Sequence, residues 1–213
     1  SHIGEGVNWR YVYCGFHDRS DPDGRVWPGA RSIDAVVERL REAQSHLGSP
    51  TEALIGWGFD PIYFGDRRCN RHDLDAVSTQ RPIAVTHASG HITNANTLAL
   101  ERAGFLRTGH DHPGIMLGAD GLPTGELKGP EAMMPASPYV GFDREILASD
   151  ELGLRYFAKL CVRQGVTTAL AFATAHPASV NAFMQEAQSR GLRMVTGKVL
   201  QDRHSPDGLR DAS

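Results

Sequence analysis

The sequence predicts an α/β protein built from two unlike parts. Residues 149–200 run twice from an amphipathic helix through a glycine, Gly165 and then Gly191, into a β-branched strand. This order is typical of parallel sheets. Residues 5–148 instead alternate short helices and strands with Gly- and Pro-rich turns, which indicates an irregular α+β segment. The 213 residues, 40% of them hydrophobic, suffice for one good core with a smaller lobe.

Charge and cysteine content restrict the class of partner. The net charge is −3 without a long basic run, which argues against nucleic acid and anionic membranes. No apolar run approaches the ~20 residues of a membrane span, and no signal peptide is visible. The three scattered cysteines, Cys14, Cys69 and Cys161, fit free thiols in a reducing compartment. We therefore expect a cytoplasmic protein with a small-molecule substrate, and self-association into a homo-oligomer stays open.

In the first half of the chain, the spacing of apolar residues and turn residues predicts the helices and strands. A helix over residues 32–47 follows from an apolar face, with Ser32 as N-cap and Gly48 and Pro50 at its end. Residues 53–61 predict a strand that enters a glycine-rich turn, residues 72–77 a brief helix and residues 81–87 a second strand. Residues 114–129 predict a hairpin around Asp120-Gly121, a dipeptide suited to positive φ.

The stretch "VTHASGHITNANTLAL", residues 85–100, carries two histidines around a glycine turn. Here the strand ending at His87 is expected to give way to a helix over residues 94–104, closed by Gly104. Because the turn breaks the element between His87 and His91, the two histidines do not form a helical metal-binding pair. Amides and imidazoles at such a turn suit a substrate carbonyl or anion. Alternatively, either histidine simply bonds to buried backbone.

Several stretches together resemble the amidohydrolase superfamily, and within it amidohydrolase family 3, which includes N-substituted formamide deformylases. The resembling stretches are "GWGFDP" (56–61), "LDAVSTQRPIAVTHASGHITNANTLALERAGF" (74–105), "DGLPTGELKGPEAM" (120–133) and "QGVTTALAF" (164–172). The family pattern is a strand ending in His, then x-x-Gly-His, an Asn five residues on, and Ala-Leu on a helix. It falls here on His87, Gly90, His91, Asn96, Ala99 and Leu100.

The resemblance implies a (β/α)8 metal-dependent hydrolase barrel, of which this chain would hold the first strands and a large α+β insertion lobe. Residues 1–4 would end the first barrel strand, residues 5–148 would be the insertion lobe, and residues 149–213 would be βα units two and three. Since a full barrel takes ~250 residues, we expect a truncated chain without the acid/base Asp. The catalytic residue is therefore unknown, and the isolated chain is expected to be inactive.

The resemblance also implies a divalent metal, zinc in one or two ions, and hydrolysis of a C–N bond in an amide, formamide or similar small molecule. His2 would be the second ligand of the first strand's His-x-His, although Ser1-His2 is equally typical of an expression-tag remnant. Lys128 is a candidate because some amidohydrolases bridge two metals with a carboxylated lysine. Its place on a hairpin, before Gly129-Pro130, favours a solvent-facing lysine instead.

Six residues are candidates for substrate binding: His87, His91, Asn96, Trp57, Phe59 and His176. Core packing explains Trp57 and Phe59 equally well, and Asn96 could brace the turn rather than touch a substrate. His176 and the segment Asp202–His204 follow predicted strand ends, where barrel function concentrates. His110 and His112 are interpreted as surface-loop residues. The rival functions are a non-catalytic ligand- or partner-binding module derived from the lobe and a purely structural fragment.

Overall fold

A computed structural model describes residues 8–49, 51–136, 151–173 and 177–200. The chain divides into two compact units. The larger unit comprises residues 11–19 and 26–142, and the smaller unit comprises residues 1–10, 20–25 and 143–213. Within the described residues, no helix combines the length and apolar character needed to cross a membrane.

A six-stranded mixed sheet forms the centre of the larger unit. Its strands are β1 (Val12–Tyr13), β4 (Leu54–Phe59), β5 (Ile83–His87), β6 (Ile92–Ala95), β7 (Ile115–Leu117) and β8 (Pro123–Lys128), in the spatial order β1-β4-β5-β6-β8-β7. The first three are parallel, and the others continue antiparallel. Strands β4 and β5 were predicted, whereas β1 was missed, because it is two residues long and too short for a periodic signal. Two further short strands are β2 (Arg19–Ser20) and β3 (Val26–Trp27).

Helices cover both faces of this sheet. One face carries α1 (Ile33–Gln44) and α2 (Arg71–Asp75), and the other carries α3 (Thr97–Arg102) and α4 (Gly129–Met133). Neighbouring residues of β5 show the alternation, since Val85 packs with the α1 and α2 core whereas Ala84 packs with the α3 and α4 core. The larger unit is therefore three layers thick, and both surfaces of its sheet are buried.

The predicted helix over residues 32–47 is confirmed as α1. Ser32 Oγ accepts a hydrogen bond from the Ala35 amide at 3.0 Å, which satisfies one of the free N–H groups at the helix start. The apolar face is buried through Ile33, Val36, Val37 and Leu40. Burial of four such side chains is worth roughly 6–12 kcal/mol against the unfolded chain, before conformational entropy is counted.

The predicted start of the helix over residues 94–104 is wrong. Residues 92–95 form β6, which pairs antiparallel with β5, and the helix begins only at Thr97. Asn96 is its N-cap and accepts a bond from the Ala99 amide at 3.0 Å. The turn at residues 88–91 therefore closes a β-hairpin rather than joining a strand to a helix. The physical reason is that asparagine is a favoured cap but a poor interior residue, so the two asparagines lie before the helix.

The predicted hairpin around Asp120-Gly121 is confirmed as β7 and β8. Arg71 of α2 holds it: the buried guanidinium donates to the Pro123 carbonyl and, at 2.8 Å, to Asp120 Oδ2. Gly125 permits the close approach of β8 to both neighbours, because a Cβ there would lie 2.5 Å from the Ala95 carbonyl oxygen and 2.9 Å from the Arg71 backbone nitrogen. The buried arginine thus adds a side-chain link between α2 and the hairpin to the pairing of β8 with β6.

The smaller unit confirms the repeated helix–Gly–strand order. It contains α5 (Glu151–Arg163), β9 (Thr168–Leu170), α6 (Pro177–Ser189) and β10 (Arg193–Val195), and the two strands pair in parallel. A small core surrounds Phe183 and Met194. Leu170 and Val195 remain 73% and 60% exposed. These elements are mixed α/β as expected, and the assignment to a barrel stays a prediction.

A glycine bulge in β4 sets the register of the site described below. Gly58 has φ +86°, and it shifts the pairing so that Phe59, rather than Gly58, lies opposite His87. A Cβ at Gly58 would meet the Tyr13 ring at 2.8 Å. We expect Gly58→Ala to destabilise the protein by about 2–4 kcal/mol, from both strain and overlap. Urea unfolding followed by circular dichroism measures this.

Gly65 provides the matched control. It also has a positive φ, +65°, but a Cβ there would meet nothing within 4 Å. Gly65→Ala should therefore cost only the backbone strain, about 1 kcal/mol. Equal losses for the two variants would contradict a steric role for Gly58.

Candidate functional site

The carboxyl ends of the three parallel strands meet at one edge of the sheet. Residues 14–17 follow β1, residues 60–64 follow β4 and residues 88–91 follow β5. Ligands of α/β sheets bind outside the carboxyl ends of the strands, because the connecting chain leaves a crevice there. This edge, called the corner below, is where the sequence-predicted histidines lie.

His87 lies buried at the end of β5, with 5% of its surface exposed. Its Nε2 lies 2.6 Å from Asn94 Oδ1, and Asn94 Nδ2 donates to the Cys69 carbonyl at 2.8 Å. Because the second bond fixes the orientation of the amide, His87 Nε2 must be the donor in the first. Burial lowers the pKa of His87 below its ordinary value of 6.5. The neutral ring therefore carries its proton on Nε2 and a lone pair on Nδ1.

Aromatic rings lead from His87 to the surface of the corner. The Phe59 ring meets the His87 ring at 5.2 Å and 65°, and it stacks on Phe64 at 4.6 Å. Phe64 meets Phe16 edge-on, and Phe16 stacks on the exposed Tyr63 at 5.1 Å. Sequence reasoning missed Phe16, Tyr63 and Phe64. The available signal was their position directly after two strands.

Three charged residues form an ion-pair group, of which Arg68 and Glu126 lie within electrostatic range of His87. Arg68 Nη2 donates to both oxygens of Glu126, at 2.7 and 2.8 Å, and Lys128 Nζ lies 3.0 Å from Glu126 Oε1. Burial alone would raise the pKa of Glu126, but the bonds from Arg68 and Lys128 outweigh it and hold that pKa below its ordinary value. Glu126 lies opposite Asn94 in the pairing of β6 and β8. Sequence reasoning missed Arg68 and Glu126.

Lys128 was predicted as a metal-bridging or a solvent-facing lysine. The structure places its ammonium in the ion pair with Glu126, with 37% of the side chain exposed. A protonated amine has no lone pair for a metal, so in this arrangement Lys128 acts as a cation. The metal-bridging role stays a prediction, without support from the geometry of the described residues.

His91 lies exposed at the hairpin turn, and the turn amides are largely engaged. The Ala88 amide donates to the Phe59 carbonyl at 2.7 Å, the Gly90 amide to the His87 carbonyl at 3.0 Å, and the His91 amide to Ser89 Oγ at 3.3 Å. These amides are therefore not available to an anion. A substrate role for His91 stays a prediction that rests on its exposed imidazole.

Asn96 is fully engaged inside the protein. Its Oδ1 accepts from the Ile83 and Ala99 amides, and its Nδ2 donates to the Ser78 and Arg81 carbonyls, each at 3.0 Å. Four bonds use the capacity of the amide oxygen and both N–H groups. This geometry supports the bracing role that the sequence left open.

The remaining described candidates lie in the core or in surface loops. Trp57 packs its ring 5.2 Å from Tyr13 and under the Arg19 guanidinium at 5.4 Å, and both Trp57 and Phe59 are buried. His110 bonds to the Phe105 carbonyl at 2.7 Å, and His112 lies 2.9 Å from Glu131. Both aromatic residues therefore pack in the core, and the Phe59 ring also contacts the His87 ring.

A metal site was tested against the donors that the structure places. In residues 8–49, 51–136, 151–173 and 177–200, no three His, Cys, Asp or Glu side chains lie close enough to hold a metal ion. The predicted positions His2, His176 and 202–204 lie outside the described residues. The described donors therefore do not fit a metal, and no chemical step at a metal follows from them.

Comparison with known proteins places the chain in a family. The sequence pattern of the amidohydrolase family matches residues 23–208, so the chain belongs to this family of hydrolases. More narrowly, it is a member of amidohydrolase family 3.

Three curated relatives match parts of the chain. It is 47% identical to Escherichia coli guanine deaminase over 58 residues, 27% of this chain and 13% of that protein. It is 31% identical to Bacillus subtilis YtcJ, a protein with an amidohydrolase name, over 114 residues, 51% of this chain and 21% of that protein. It is 28% identical to Arabidopsis thaliana LONG AFTER FAR-RED 3 over 147 residues, 67% of this chain and 24% of that protein. The chain thus matches less than a quarter of each relative's length.

Two solved structures are also similar. A metal-dependent hydrolase from Pyrococcus horikoshii superposes with a TM-score of 0.49 at 17% identity, over 92% of this chain and 34% of that one. A second, from Pyrococcus furiosus, gives 0.48 at 15% identity, over 92% and 35%.

The engagement of Asn96 yields a stability prediction. Asn96→Ala would remove this partner from three buried backbone groups and from the partly buried Ser78 carbonyl, so we expect a loss of about 2–4 kcal/mol in the free energy of unfolding. Gln80→Ala, at an exposed position nearby, should change it by less than ~0.5 kcal/mol. Urea unfolding measures both, and a small loss for Asn96→Ala would refute the bracing role.

The buried His87 yields a pH prediction. The pKa of His87 is lower in the folded chain than in the unfolded chain. The stability that comes from burying the neutral ring is therefore fully present above about pH 6.5, and it is lost as the pH falls through the lower pKa of the folded chain. Between these two pKa values the unfolded chain binds a proton at His87 and the folded chain does not. Nitrogen-15 NMR of the histidine rings should show the Nε2–H tautomer of His87 near neutral pH. A protonated or Nδ1–H ring there would contradict the assigned hydrogen bond.

Proposed function

We propose that the intact protein is a metal-dependent amidohydrolase that cleaves a C–N bond in an amide, formamide or similar small molecule. The observation that carries this proposal is the family match over residues 23–208. A divalent metal, zinc in one or two ions, is part of the proposal. Its ligands would lie outside the described residues, where His2 remains a candidate.

In this proposal the larger unit recognises the substrate. The corner offers an apolar wall of aromatic rings and a buried neutral imidazole whose Nδ1 carries a lone pair that can accept a hydrogen bond. An amide N–H is a donor of matching polarity, and a mostly apolar site with a few placed polar groups is the usual form of a small-molecule site. His87 would thus orient the amide, His91 would contact it from the hairpin turn, and no acid or base chemistry is assigned to either.

The smaller unit supports the barrel part of the proposal. Parallel sheets are covered on both faces in almost all proteins, yet Leu170 and Val195 are largely exposed. Further βα units packing on this surface would bury them, with residues 149–213 as units two and three. A second copy of the chain in a homo-oligomer would cover the same surface.

A non-catalytic ligand-binding module is the second candidate. The observation that favours it is that the corner holds recognition groups, while the described residues hold no cluster of metal ligands. Turnover by the intact protein separates the two candidates, because a binding module binds small amides without cleaving them.

We expect the intact protein loaded with Zn²⁺, Mn²⁺ or Co²⁺ to hydrolyse members of a panel of N-formyl and N-acyl amines. His87→Ala should lower kcat/KM about tenfold or more, since it removes one hydrogen bond from a desolvated site. His46→Ala, at an exposed position beyond α1, is the matched control and should leave the rate unchanged. Ammonia or amine release measures turnover. No turnover with any metal, or equal rates for the two variants, would contradict the proposal.

A further inference from the structure

Two cations at the corner share one carboxylate. Arg68 and Lys128 each place a nitrogen within 3.0 Å of the same oxygen, Glu126 Oε1. Glu126 is buried, whereas 52% of the Arg68 side chain and 37% of the Lys128 side chain are exposed. The three groups therefore carry one net positive charge, and its cationic part faces water.

The neighbouring Arg67 lies in surroundings with an excess of negative charge. Arg67 Nη1 lies 2.9 Å from Asp34 and Arg67 Nη2 lies 2.8 Å from Asp73, so one cation there meets two carboxylates. Arg67 and Arg68 are both exposed and adjacent in sequence. They differ in whether an anion could still be accommodated: the surroundings of Arg67 would repel it, and those of Arg68 and Lys128 would attract it.

Unused donors remain on both cations. The described bonds of Arg68 to Glu126 both come from Nη2, and Lys128 uses one of the three N–H donors of its ammonium. A guanidinium fork and a nearby ammonium are the groups that proteins use to bind carboxylates. Donors of the right type therefore stand ready without breaking the pair with Glu126.

The cation pair is linked to His87 through Glu126 and Asn94. Glu126 pairs opposite Asn94, whose Oδ1 lies 2.6 Å from His87, and whose Nδ2 holds the Cys69 carbonyl directly after Arg68. Asp60 is the other acid whose charge reaches His87, and one of its oxygens accepts a bond from the Ile62 amide. Lys128 on β8 and His87 on β5 thus lie on the two strands that flank β6, and Arg68 lies in the segment before α2.

We propose that Arg68 and Lys128 form a carboxylate-binding site, so that the small molecule recognised at this corner carries a carboxylate beside its amide. The amide part of this ligand rests on the proposed function, whereas the carboxylate site rests on the charges alone. The neutral His87 fits such a ligand, because it adds no charge beside the amide.

N-formylglycine and N-formylglycinamide test the site, because they differ only in the carboxylate. We expect the acid to bind the 213-residue chain about tenfold more tightly than the amide in ¹H–¹⁵N NMR titrations. Raising NaCl from about 50 to about 500 mM should shrink this preference, since the cations are partly exposed. Equal affinities, or no measurable binding of the acid, would overturn the site.

Matched variants locate the preference. Arg68→Gln and Lys128→Gln should each abolish most of it, and Arg67→Gln should retain it. Thermal unfolding checks that the variants fold, and Arg68→Lys, which keeps the charge, should restore part of the preference. A loss with Arg67→Gln equal to that with Arg68→Gln would overturn the assignment to these two cations.

The same probes separate this inference from the proposed function. Equal rates of cleavage of both compounds by the metal-loaded intact protein would overturn the carboxylate site and leave the hydrolase proposal intact. Tight, charge-dependent binding of the acid without cleavage of either compound would support the carboxylate site and count against hydrolysis.

Discussion

The geometry of the corner depends on one buried side chain, Asn94. It lies on β6, between β5 and β8, and its amide joins three separate parts of the chain. The oxygen accepts the Nε2–H of His87, and the nitrogen holds the Cys69 carbonyl. The first bond sets the tautomer of His87, and the second fixes the segment that carries Arg68. Since an unsatisfied amide is costly in a buried site, Asn94 holds both partners in place together.

Much of the fold follows from periodicity, and the exceptions have a common cause. Helix α1, strands β4 and β5, the hairpin of β7 and β8, and both helix–Gly–strand units were predicted from spacing and turn residues. Strand β6 was missed because it is four residues long and contains Asn94, a residue that is rare in strands. Tertiary contacts decide its conformation, since its two neighbours supply the ladder and the buried partners of the asparagine.

The site was less predictable than the fold, because its charged part joins residues distant in sequence. His87 was singled out because it ends a predicted strand before a glycine turn, and the structure places it at the end of β5. Its burial matches the alternative in which the histidine makes hydrogen bonds inside the protein. Arg68 and Glu126 are 58 positions apart, so neither periodicity nor local spacing connects them. Lys128 was noticed for a metal role, whereas its alternation with Glu126 along β8 was the physical signal. Residues two apart on a strand share a face, and the two charges therefore meet.

The protonation state of His87 and the charges around it are consistent with one another. Burial lowers its pKa and Arg68 acts in the same direction, whereas the hydrogen bond that His87 donates to Asn94 and the charges of Glu126 and Asp60 oppose them, with a net lowering. A charged imidazole would add a second unpaired positive charge to that of Arg68 and Lys128, on a side chain that is itself buried. A neutral imidazole instead offers a lone pair without changing the charge balance. In the proposed function, the larger unit accordingly binds and orients a polar ligand through the neutral acceptor at His87 and the net positive charge of Arg68, Lys128 and Glu126. This proposed role in recognition rests on the electrostatics of the described residues.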